Sequence, residues 1–504
     1  MKYAIASLRF SIEDGGGPYY QQLMDQIQQG IVSGELTVGD KLPSSRLLAT
    51  SLGVSRSTTS RAYDQLIAEG ILVSELKRGV FVASQMAYRV ERKAALNAAS
   101  IDALSTQSSQ KVSESSPQSQ YMGFDAGVDA EAFPSKEWAA SMRRSWLKPD
   151  YQVMQGGYLT GYPALKTALV DYLYRVRGLE CQAEQILITA GNRDVLQLLQ
   201  HALSSGKDKA VNWWLEEPTY PPIRQAVGQN SSMQSIKIDQ EGPCLPEPIQ
   251  GENIAILTPN RQYPLGVSIG SQRRQKWLQT LQEASSPWWV IEDDYDNEFV
   301  YQGRMEVPFM QSAQAHERSK NKVFFVGSFS KVLFRGLRLG FIVAPMAHVT
   351  LLAHIQSKIG MSASLPMQPV VADFLIQGNF NRHLNRMRRH YRLKRDMLLA
   401  YLSEYLSTWF EWKKPSGGMH VMIEFKAELS RSQYGQQALD CVVAERLRQQ
   451  AIRLSPLSLH YQHAVEAKVG FVLGFSGIDE STMQHLLLTM RSVLTAMFAK
   501  TDGG

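Results

Sequence analysis

The sequence predicts an α/β protein with a mainly parallel sheet, preceded by a small helical unit and completed by a smaller C-terminal lobe. From about residue 121 onward, short apolar runs typical of buried strands alternate with amphipathic helical patterns. Before residue 85, three helical patterns precede two short strand-like runs. The final part of the chain returns to a mixed helix–strand pattern, which favours a separate smaller lobe.

Length and composition restrict the classes of protein to which the chain can belong. With 504 residues it is too long for one ordinary core, so we expect roughly two to four domains. Its three cysteines show no CxxC spacing, which favours a reducing compartment over a disulfide framework or a zinc cluster. No apolar run approaches the roughly 20 residues of a membrane helix, and no signal peptide is evident. We therefore expect a cytoplasmic protein without membrane contact or metal site.

A Ser/Gln-rich stretch separates the two regions. Eleven of the twenty residues from Ile101 to Gln120 are serine or glutamine, and none is aromatic. Such a segment buries too little apolar surface to offset the entropy lost on ordering. We predict a first domain over residues 1–84, a flexible linker over 85–120 and a second domain over 121–504. An ordered surface loop is the alternative for the linker.

The first domain carries start and stop signals for three helices. Leu23, Ile27 and Ile31 recur every four residues and mark a helix that ends near the Ser-Gly pair at 33–34. A second helix opens at the PSS segment and is closed by Gly53 in a left-handed cap. Ser55 is a good N-cap for a third helix. The following ILVSELKRGVFVA segment predicts two short strands joined by a basic turn.

This order of elements is the signature of a helix-turn-helix followed by a wing. The second helix of such a motif enters the major groove, with its N-terminal residues facing the base edges. Arginines and short polar groups reach phosphate oxygens and guanine edges. The side chains that we expect near DNA are Arg46, Ser55, Arg56, Ser57, Thr58, Ser60, Arg61, Lys77 and Arg78. The alternative is that the two helix arginines only form ion pairs with Asp40 or Glu69.

In the second domain, a lysine follows the last of five predicted strands. These strands cover residues 186–189, 210–215, 254–258, 288–293 and 323–328. Lys331 lies just beyond the last strand, with Ser328 before it and Arg338 seven residues after it. A lysine beside hydroxyls and an arginine suits covalent attachment of an aldehyde cofactor that carries a phosphate. Taken alone, such a lysine is more often a solvated residue.

Three further segments favour the cofactor interpretation. In ILITAGNRDVLQLL, a strand and Gly191 precede a helix whose free N–H groups would point at an anion. EDDYD (292–296) places carboxylates and a phenol where strand ends converge, as a pyridinium nitrogen and a ring oxygen require. Tyr220, in EEPTYPP, could stack on an aromatic ring. The alternatives are a metal site or solvated turn for EDDYD and core packing for Tyr220.

The first domain resembles the GntR family of winged-helix regulators almost from end to end. The segment GDKLPSSRLLATSLGVSRST carries most of the resemblance. By that resemblance, Arg46, Arg56 and Gly79 of the wing are DNA contacts. Many relatives place an arginine four residues after the Arg56 equivalent; here Ser60 occupies that position and Arg61 follows it.

From about residue 121 to the C-terminus, the chain resembles fold-type-I, class I aminotransferases, which bind pyridoxal 5'-phosphate. By that resemblance, Lys331 matches the catalytic lysine that binds the cofactor covalently. Asp293 matches the partner of the pyridine nitrogen; Asp294 is the alternative, because EDDY is one residue tighter than the usual enzyme spacing. Tyr295 matches the donor to the ring oxygen, and Tyr220 matches the stacking aromatic residue. The positions that match the phosphate cradle are Asn192, Arg193, Ser328 and Arg338.

Taken together, the two domains resemble the MocR/GabR subfamily of GntR regulators. The segments that carry this resemblance are FDAGVDAEAFPSKEW, TPNRQYPLG, IEDDYDNEF, GSFSKVLFRGLRLG and PSGGMH. The resemblance implies a head-to-tail homodimer that binds a double-stranded DNA operator. It also implies a small-molecule effector, either pyridoxal phosphate itself or an amine that reacts with it.

Two departures from the aminotransferase pattern bear on activity. Tyr263 stands where the enzymes carry an asparagine, and Asn260 or Gln262 could substitute for that contact. Val472 stands where they carry the arginine that binds the substrate carboxylate. Without that guanidinium, an α-carboxylate loses a charge-assisted contact worth about 1.5–3 kcal/mol. We therefore expect at most weak or half-reaction transamination, unless Arg224 or a residue of the partner subunit compensates.

The function predicted from the sequence is a transcription regulator that controls genes of vitamin B6, amine or amino-acid metabolism. One alternative is a working aminotransferase with an appended DNA tether. Another is a DNA-binding protein whose second domain has lost its cofactor, although Lys331, Tyr295 and Arg338 weigh against it. The basic helix at 381–398 is either a second DNA surface or, as in the enzymes, a structural element.

Overall fold

The computed structural model describes residues 12, 17–76, 78–83, 121–204, 211–228, 232–283, 287–303, 305–360, 363–430, 438–463 and 467–499. The chain divides into two compact units, Met1–Ser116 and Pro117–Gly504. The predicted linker over 85–120 and the wing residue Lys77 lie outside the described residues.

The first unit contains three helices and a two-stranded antiparallel hairpin. Its elements are α1 (Tyr19–Val32), α2 (Ser45–Leu52), α3 (Arg56–Ala68), β1 (Leu72–Glu75) and β2 (Gly79–Val82). The Ser44 and Ser55 hydroxyls each accept a main-chain N–H at 3.2 Å and so cap α2 and α3. Gly53 ends α2 at φ 67°. The predicted caps and the order of helices and wing strands are confirmed.

Two hydroxyl groups of α3 fix this helix against the start of α2. The buried Thr59 hydroxyl donates to the Ser45 carbonyl at 2.8 Å, and the Tyr63 hydroxyl donates to the Pro43 carbonyl at 3.0 Å. Around them lies an apolar core formed by all three helices and both strands. Because α3 is held at both a polar and an apolar contact, its N-terminal end has a defined position relative to α2.

The second unit alternates strands and helices and ends in a mixed lobe. Its strands are β3 (Met122–Gly123), β4 (Ile186–Thr189), β5 (Val211–Glu217), β6 (Ser232–Asp239), β7 (Gly242–Pro243), β8 (Glu252–Leu257), β9 (Trp288–Asp294), β10 (Val323–Ser328), β11 (Gly340–Val343), β12 (Phe410–Trp412), β13 (His420–Phe425), β14 (Ile452–Arg453) and β15 (Gly470–Gly474).

The helices of the second unit cover both faces of its large sheet and build the final lobe. They are α4 (Ser135–Leu147), α5 (Tyr151–Gln155), α6 (Pro163–Tyr172), α7 (Asn192–Ser204), α8 (Pro221–Val227), α9 (Ser271–Gln282), α10 (Phe309–Gln314), α11 (Met346–Ile359), α12 (Gln368–Ile376), α13 (Asn379–Tyr405), α14 (Ala427–Ser430), α15 (Leu439–Arg448) and α16 (Glu480–Phe498). Short π- or 3₁₀-helical turns occur at Leu173–Arg177, Ala183–Gln185, Arg335–Leu337, Leu365–Met367 and Leu457–His460.

The large sheet has eight strands in the order β4-β11-β10-β9-β8-β5-β6-β7. The pairs from β10 through β6 are parallel, β11 runs antiparallel to both its neighbours, and β7 is antiparallel to β6. All five predicted strands are present in it. The interior strands β8 and β10 and the edge strand β4 are mostly apolar and buried along almost their whole length, as expected of a sheet covered on both faces. The predicted α/β fold with a mainly parallel sheet is confirmed.

The C-terminal lobe is built on a three-stranded antiparallel sheet of β12, β13 and β15. The long helix α13 packs against α16, and α15 also contacts α16. The short strand β3, near the start of the unit, pairs with β14. The segment after β3 contacts both parts of the unit, because the Ala126 carbonyl accepts from Lys331 beyond β10 and the Gly127 carbonyl accepts from Ser476 beyond β15. None of the helices in the described ranges is long and apolar enough to span a membrane.

Candidate functional site

Lys331 follows the C-terminal end of β10 and lies at the centre of the candidate site. Its half-buried side chain donates from Nζ to the Ala126 carbonyl at 2.8 Å. Burial, together with the nearby Arg335 charge, lowers the pKa of the Lys331 amine to about 8. A lysine with a pKa near neutrality is partly uncharged at physiological pH, and the uncharged amine is the form that reacts with an aldehyde.

Asp293 and Asn192 face each other across the ends of two elements. Asp293 lies at the end of β9, and Asn192 is the first residue of α7. The Asn192 amide donates to the Asp293 carboxylate at 2.7 Å. Burial, with a further contribution from the neighbouring Asp294, raises the pKa of Asp293 to about 7. A cation placed beside this carboxylate would be strongly favoured, since it would stabilise the charged form.

Asp294 is engaged elsewhere. Its carboxylate accepts from Arg177 at 2.8 and 2.6 Å in a fully buried ion pair. Glu292 accepts the main-chain N–H groups of Phe309 and Met310 at 2.7 and 2.9 Å. Glu292, Asp293 and Asp294 are thus buried and have separate partners, and Asp296, the fourth acidic residue of EDDYD, is buried beside Arg261. This arrangement contradicts both the metal-site and the solvated-turn alternatives. Of the two aspartates considered for the pyridine nitrogen, the geometry favours Asp293.

Tyr295 carries a buried hydroxyl with no hydrogen-bond partner among the described residues. Its ring packs edge-on against Tyr263 at 5.7 Å, and Tyr263 packs edge-on against Tyr220 at 5.3 Å. Tyr220 is 47% exposed, so the core-packing alternative is wrong for this residue. The structure therefore brings these tyrosines together, with one ring open to a ligand.

The predicted phosphate residues lie where the ends of β4, β10 and the start of β11 meet. Gly340 approaches Gly191 and Gly327 so closely that a side-chain carbon on it would lie 2.9–3.0 Å from their main-chain atoms. Asn192 and Arg193 begin α7, whose free N–H groups face this corner. Ser328 ends β10 and accepts the Ser330 N–H at 3.2 Å. Arg338 is exposed and adopts φ 49°, a strained value that is typical of functional loops.

Of the proposed substitutes for missing enzyme contacts, Gln262 and Arg224 are already engaged, whereas Asn260 keeps an unpaired donor. Gln262 donates from its amide to the carbonyls of Pro218 and Tyr263 at 2.7 and 2.6 Å. Asn260 accepts from Arg274 at 2.9 Å through its amide oxygen, but its buried amide nitrogen has no hydrogen-bond partner among the described residues. Arg224 donates to the carbonyls of residues 460 and 461 at 2.7 and 3.2 Å. The carboxylate-binding role considered for Arg224 would therefore require it to leave these carbonyls.

Four residues of the site region were not predicted from the sequence. Arg261 and Asp296 form a buried pair, with 3.7 Å between Nε and Oδ1. His420 and His460 flank the Tyr263 ring at centroid distances of 5.0 and 5.7 Å. His420 belongs to the PSGGMH segment that the sequence singled out, but nothing in the spacing connects it with Tyr263.

Two of the arginines that we expect near DNA, Arg46 and Arg56, are exposed on the first unit. Within the part of the chain that the structure describes, neither arginine forms an ion pair; Asp40 accepts from Thr37, and Glu69 from Gln28. The ion-pair alternative for these arginines is therefore not supported.

The other predicted DNA contacts form small local networks. Ser55 shares hydrogen bonds with Ser57 at 2.7 Å and Thr58 at 2.8 Å. Arg61 lies over the Tyr20 ring at 4.1 Å. In the wing, Arg78 is ion-paired with Glu75, and Gly79 adopts φ 121°, which favours glycine.

The basic helix at 381–398 lies within α13 and makes structural contacts. Arg395 is buried and donates to the Pro415 carbonyl at 2.7 Å. Arg388 donates to the Glu298 carbonyl at 2.6 Å. Lys394 pairs with Asp129 at 2.6 Å. These contacts favour the structural interpretation of this helix over a second DNA surface.

Both units match known protein families. Residues 19–82 match the model of bacterial regulatory proteins of the gntR family, and residues 126–461 match aminotransferase class I and II. The solved structure of LysN, an α-aminoadipate aminotransferase from Thermus thermophilus, superposes with a TM-score of 0.64 at 24% identity. That superposition covers 75% of this chain and 93% of the enzyme, and it shows the aminotransferase fold.

Two curated relatives resemble the chain over almost its whole length. The probable rhizopine catabolism regulatory protein MocR of Rhizobium meliloti is 29% identical, with 96% of this chain and 95% of the relative covered. The pyridoxine biosynthesis transcriptional regulator PdxR of Corynebacterium glutamicum is 29% identical, with 92% and 94% covered. A third relative, the HTH-type transcriptional regulator YdeL of Bacillus subtilis, is 32% identical, with 93% of this chain and 95% of the relative covered. The chain therefore belongs to the GntR family of bacterial regulatory proteins, as a transcription regulator of the MocR/GabR subfamily, in which a winged helix-turn-helix domain is joined to an aminotransferase class I/II domain.

Proposed function

We propose that this transcription regulator binds pyridoxal 5'-phosphate at Lys331 and changes its affinity for DNA when the cofactor, or an amine that reacts with it, is bound. One observation carries the proposal. The Tyr295 hydroxyl is buried without a partner among the described residues, two positions after Asp293, whose buried carboxylate accepts from Asn192 at 2.7 Å. A buried donor without an acceptor costs about 1–3 kcal/mol, and a ligand oxygen would remove that cost.

The other residues of the site fit the same cofactor. The cofactor would supply an aldehyde carbon for the lysine and an electron-withdrawing ring. Lys331 would provide the amine, and Asp293, oriented by Asn192, would hold a proton on the ring nitrogen. Tyr295 would donate to the ring oxygen, and the exposed Tyr220 ring would stack on the ring face. The residues that would hold the phosphate are Asn192, Arg193, Ser328 and Arg338.

The regulated genes would serve vitamin B6, amine or amino-acid metabolism. Support comes from the names of two relatives, of which one regulates pyridoxine biosynthesis and the other rhizopine catabolism. We further infer a head-to-tail homodimer that presents two reading heads to a double-stranded operator. Two heads would bind paired half-sites, and size-exclusion chromatography with light scattering tests the dimer directly.

A working aminotransferase is the second candidate function, and the intact set of Lys331, Asp293 and Tyr295 favours it. Against it, Val472 is an apolar, buried residue of β15 where the enzymes carry an arginine. Arg224, the proposed replacement, is held by main-chain carbonyls. We therefore expect at most weak or half-reaction transamination. Robust multiple turnover across a panel of amino donors would establish the enzyme instead.

The central test uses the absorbance of the purified full-length chain. Addition of pyridoxal phosphate should produce a band at about 410–430 nm. The band should be absent in Lys331→Ala and unchanged in Lys276→Ala, a control on the exposed face of α9. Footprinting of the region upstream of the protein's own gene, with and without the cofactor, then tests control by the ligand. A colourless protein, or DNA protection that ignores the cofactor, contradicts the proposal.

A further inference from the structure

Beside Tyr295, one side of the site is lined by rings. These rings form the aromatic wall: Tyr220, Tyr263, Tyr295, His420 and His460. Tyr263 is at its centre, with ring centroids 5.3, 5.7, 5.0 and 5.7 Å from those of the other four. Its edge is open, because Tyr220 is exposed.

Both imidazoles of the aromatic wall are neutral at physiological pH. His420 Nε2 lies 3.1 Å from the Pro264 carbonyl, and His460 Nδ1 lies 3.0 Å from the Pro456 carbonyl. A carbonyl only accepts, so these nitrogens carry the ring proton. Burial lowers the pKa of both imidazoles, in His460 to about 4. The rings therefore add apolar surface but no positive charge, and the second nitrogen of His460 lies 3.5 Å from the Tyr263 hydroxyl.

Two guanidinium groups lie next to the aromatic wall. Arg224 donates from its two terminal nitrogens to the main-chain carbonyls of His460 and Tyr461. Arg261 lies beside the buried Asp296, with 3.7 Å between Nε and Oδ1. Its terminal nitrogens lie under residues 417 and 418, so closely that a side-chain carbon on either glycine would overlap them. Arg224 Nε and Arg261 Nη1 have no hydrogen-bond partner among the described residues, but both atoms are buried. A carboxylate beside the aromatic wall would therefore have to displace the main-chain contacts of Arg224, or uncover Arg261, to gain a guanidinium partner.

The aromatic wall also adjoins the reactive lysine. His420 is paired with Gly474 across β13 and β15, and Gly474 packs so closely on Ala126 that a side-chain carbon on the glycine would overlap the Ala126 nitrogen. The Ala126 carbonyl in turn accepts from Lys331 Nζ at 2.8 Å. A molecule whose amine reaches Lys331 therefore lies beside the His420 end of the aromatic wall.

We propose that the aromatic wall binds the body of an effector amine, and that this effector is a primary amine with an aromatic or branched apolar body and no carboxylate beside the amine. The inference rests on the proposed function, because it requires pyridoxal phosphate at Lys331. Aromatic side chains offer large apolar contact areas with defined ring geometry. An α-carboxylate against them would lose its hydration without gaining a guanidinium partner.

The test compares two probes that differ only in the α-carboxylate, 2-phenylethylamine and L-phenylalanine. Each is titrated into the full-length protein loaded with pyridoxal phosphate, and the cofactor absorbance and the DNA affinity are followed. We expect the amine to reach half-saturation at a concentration at least ~10-fold lower than the amino acid, the ratio that 1.4 kcal/mol gives. Equal or tighter binding of L-phenylalanine overturns the proposal.

Two variants connect the effect with the aromatic wall. Tyr263→Leu should raise the half-saturating concentration of 2-phenylethylamine by ~10-fold. Because Tyr263 is half-buried, Tyr220→Leu, at an exposed position, provides a second variant that spares the core. Tyr220 is also proposed to stack on the cofactor, so the affinity of this variant for pyridoxal phosphate is measured first and the amine is titrated only into fully loaded protein. Tyr174→Leu, an exposed tyrosine outside the aromatic wall, is the matched control and should change nothing. Unchanged amine binding in both wall variants overturns the proposal.

The cofactor band and the response to 2-phenylethylamine test the proposed function and the effector assignment separately. If no cofactor band forms, the proposed function fails, and this inference fails with it. If the band forms but neither its position nor the DNA affinity responds to 2-phenylethylamine, only the effector assignment is wrong.

Discussion

At the scale of single residues, neighbouring aspartates on β9 have opposite environments, because successive side chains of a strand face opposite sides of the sheet. Asp293 points to the N-terminal end of α7 and meets the Asn192 amide. Asp294 points to the other face and forms the buried pair with Arg177. One carboxylate is thus available to a ligand, while the other stabilises the fold.

Substitution of the two aspartates should separate these roles. Asp294→Asn leaves the buried Arg177 charge without its partner and should lower the free energy of unfolding by about 3–5 kcal/mol. Asp293→Asn should leave the fold intact and weaken pyridoxal phosphate binding. Urea denaturation and cofactor titration measure the two effects. The assignment is wrong if Asp294→Asn folds normally and loses the cofactor instead.

The raised pKa of Asp293 predicts a pH dependence of stability without cofactor. Its pKa is about 7 in the folded chain against an ordinary value of 3.8, so the protonated form is favoured by folding. The resulting stability is fully present below about pH 4 and is lost as the pH rises through about 7. Wild type and Asp293→Asn should therefore diverge between these limits in urea unfolding experiments. If the free energy of unfolding has the same pH dependence in both proteins, the pKa of Asp293 is not raised.

Removal of the unpartnered Tyr295 hydroxyl should have opposite effects with and without cofactor. Tyr295→Phe removes a buried donor that has no acceptor among the described residues, so the melting temperature of the cofactor-free protein should stay equal or rise. Affinity for pyridoxal phosphate should fall, because the ring oxygen loses its donor. The control is Tyr172→Phe, which removes a hydrogen bond to the buried Glu298 at 2.7 Å and should cost about 1–3 kcal/mol. Similar destabilisation by both variants would show that Tyr295 has a protein partner.

At the scale of helices and strands, local signals predicted the elements that begin and end at strong caps. Ser44, Gly53 and Ser55 define α2 and α3 as predicted, since each acts within its own turn. The strand β11 was missed, because its glycine and three apolar residues follow directly on the segment that was interpreted as a phosphate loop. Its position between β4 and β10 depends on pairing with residues far away in the sequence.

The site also contains residues that a local sequence motif predicts and residues that only long-range packing brings together. Lys331, Asp293 and Tyr295 lie at strand ends, where a sequence motif marks them. His420 and His460 reach Tyr263 only through packing of the C-terminal lobe, about 160 and 200 residues further along the chain. No local pattern encodes such contacts, so the aromatic wall could not be predicted.

The two helix caps allow folding and DNA reading to be separated. Ser44→Ala and Ser55→Ala each remove one capping bond of the same length and should each cost about 0.5–2 kcal/mol. Only Ser55 lies at the start of the helix that we expect in the major groove. Ser55→Ala should therefore lower DNA affinity, measured by gel shift at fixed salt, more than its matched control. Equal losses of DNA affinity in the two variants would mean that both serines affect DNA binding only through the stability of the first unit.

At the scale of the whole molecule, ligand control requires that cofactor and operator each change the affinity for the other. If pyridoxal phosphate changes the DNA affinity by a given factor, DNA must change the affinity for pyridoxal phosphate by the same factor. For a regulator we expect a factor of about 5–150, which corresponds to a coupling free energy of about 1–3 kcal/mol. Fluorescence anisotropy of a labelled operator gives one factor, and cofactor titration with and without operator gives the other.

One variant in each unit shows whether the coupling depends on cofactor binding and on DNA binding. Lys331→Ala should abolish the coupling while leaving DNA binding without cofactor unchanged, because Lys331 belongs to the second unit. Arg56→Ala should weaken DNA binding at every cofactor concentration and reduce its dependence on salt by about one phosphate contact. It should leave cofactor affinity without DNA unchanged, since Arg56 belongs to the first unit. A ligand-controlled regulator is established if cofactor and DNA change each other's affinity by the same factor in wild type and if both factors fall to one in Lys331→Ala. If both factors are already one in wild type, cofactor binding and DNA binding are independent activities of the same chain.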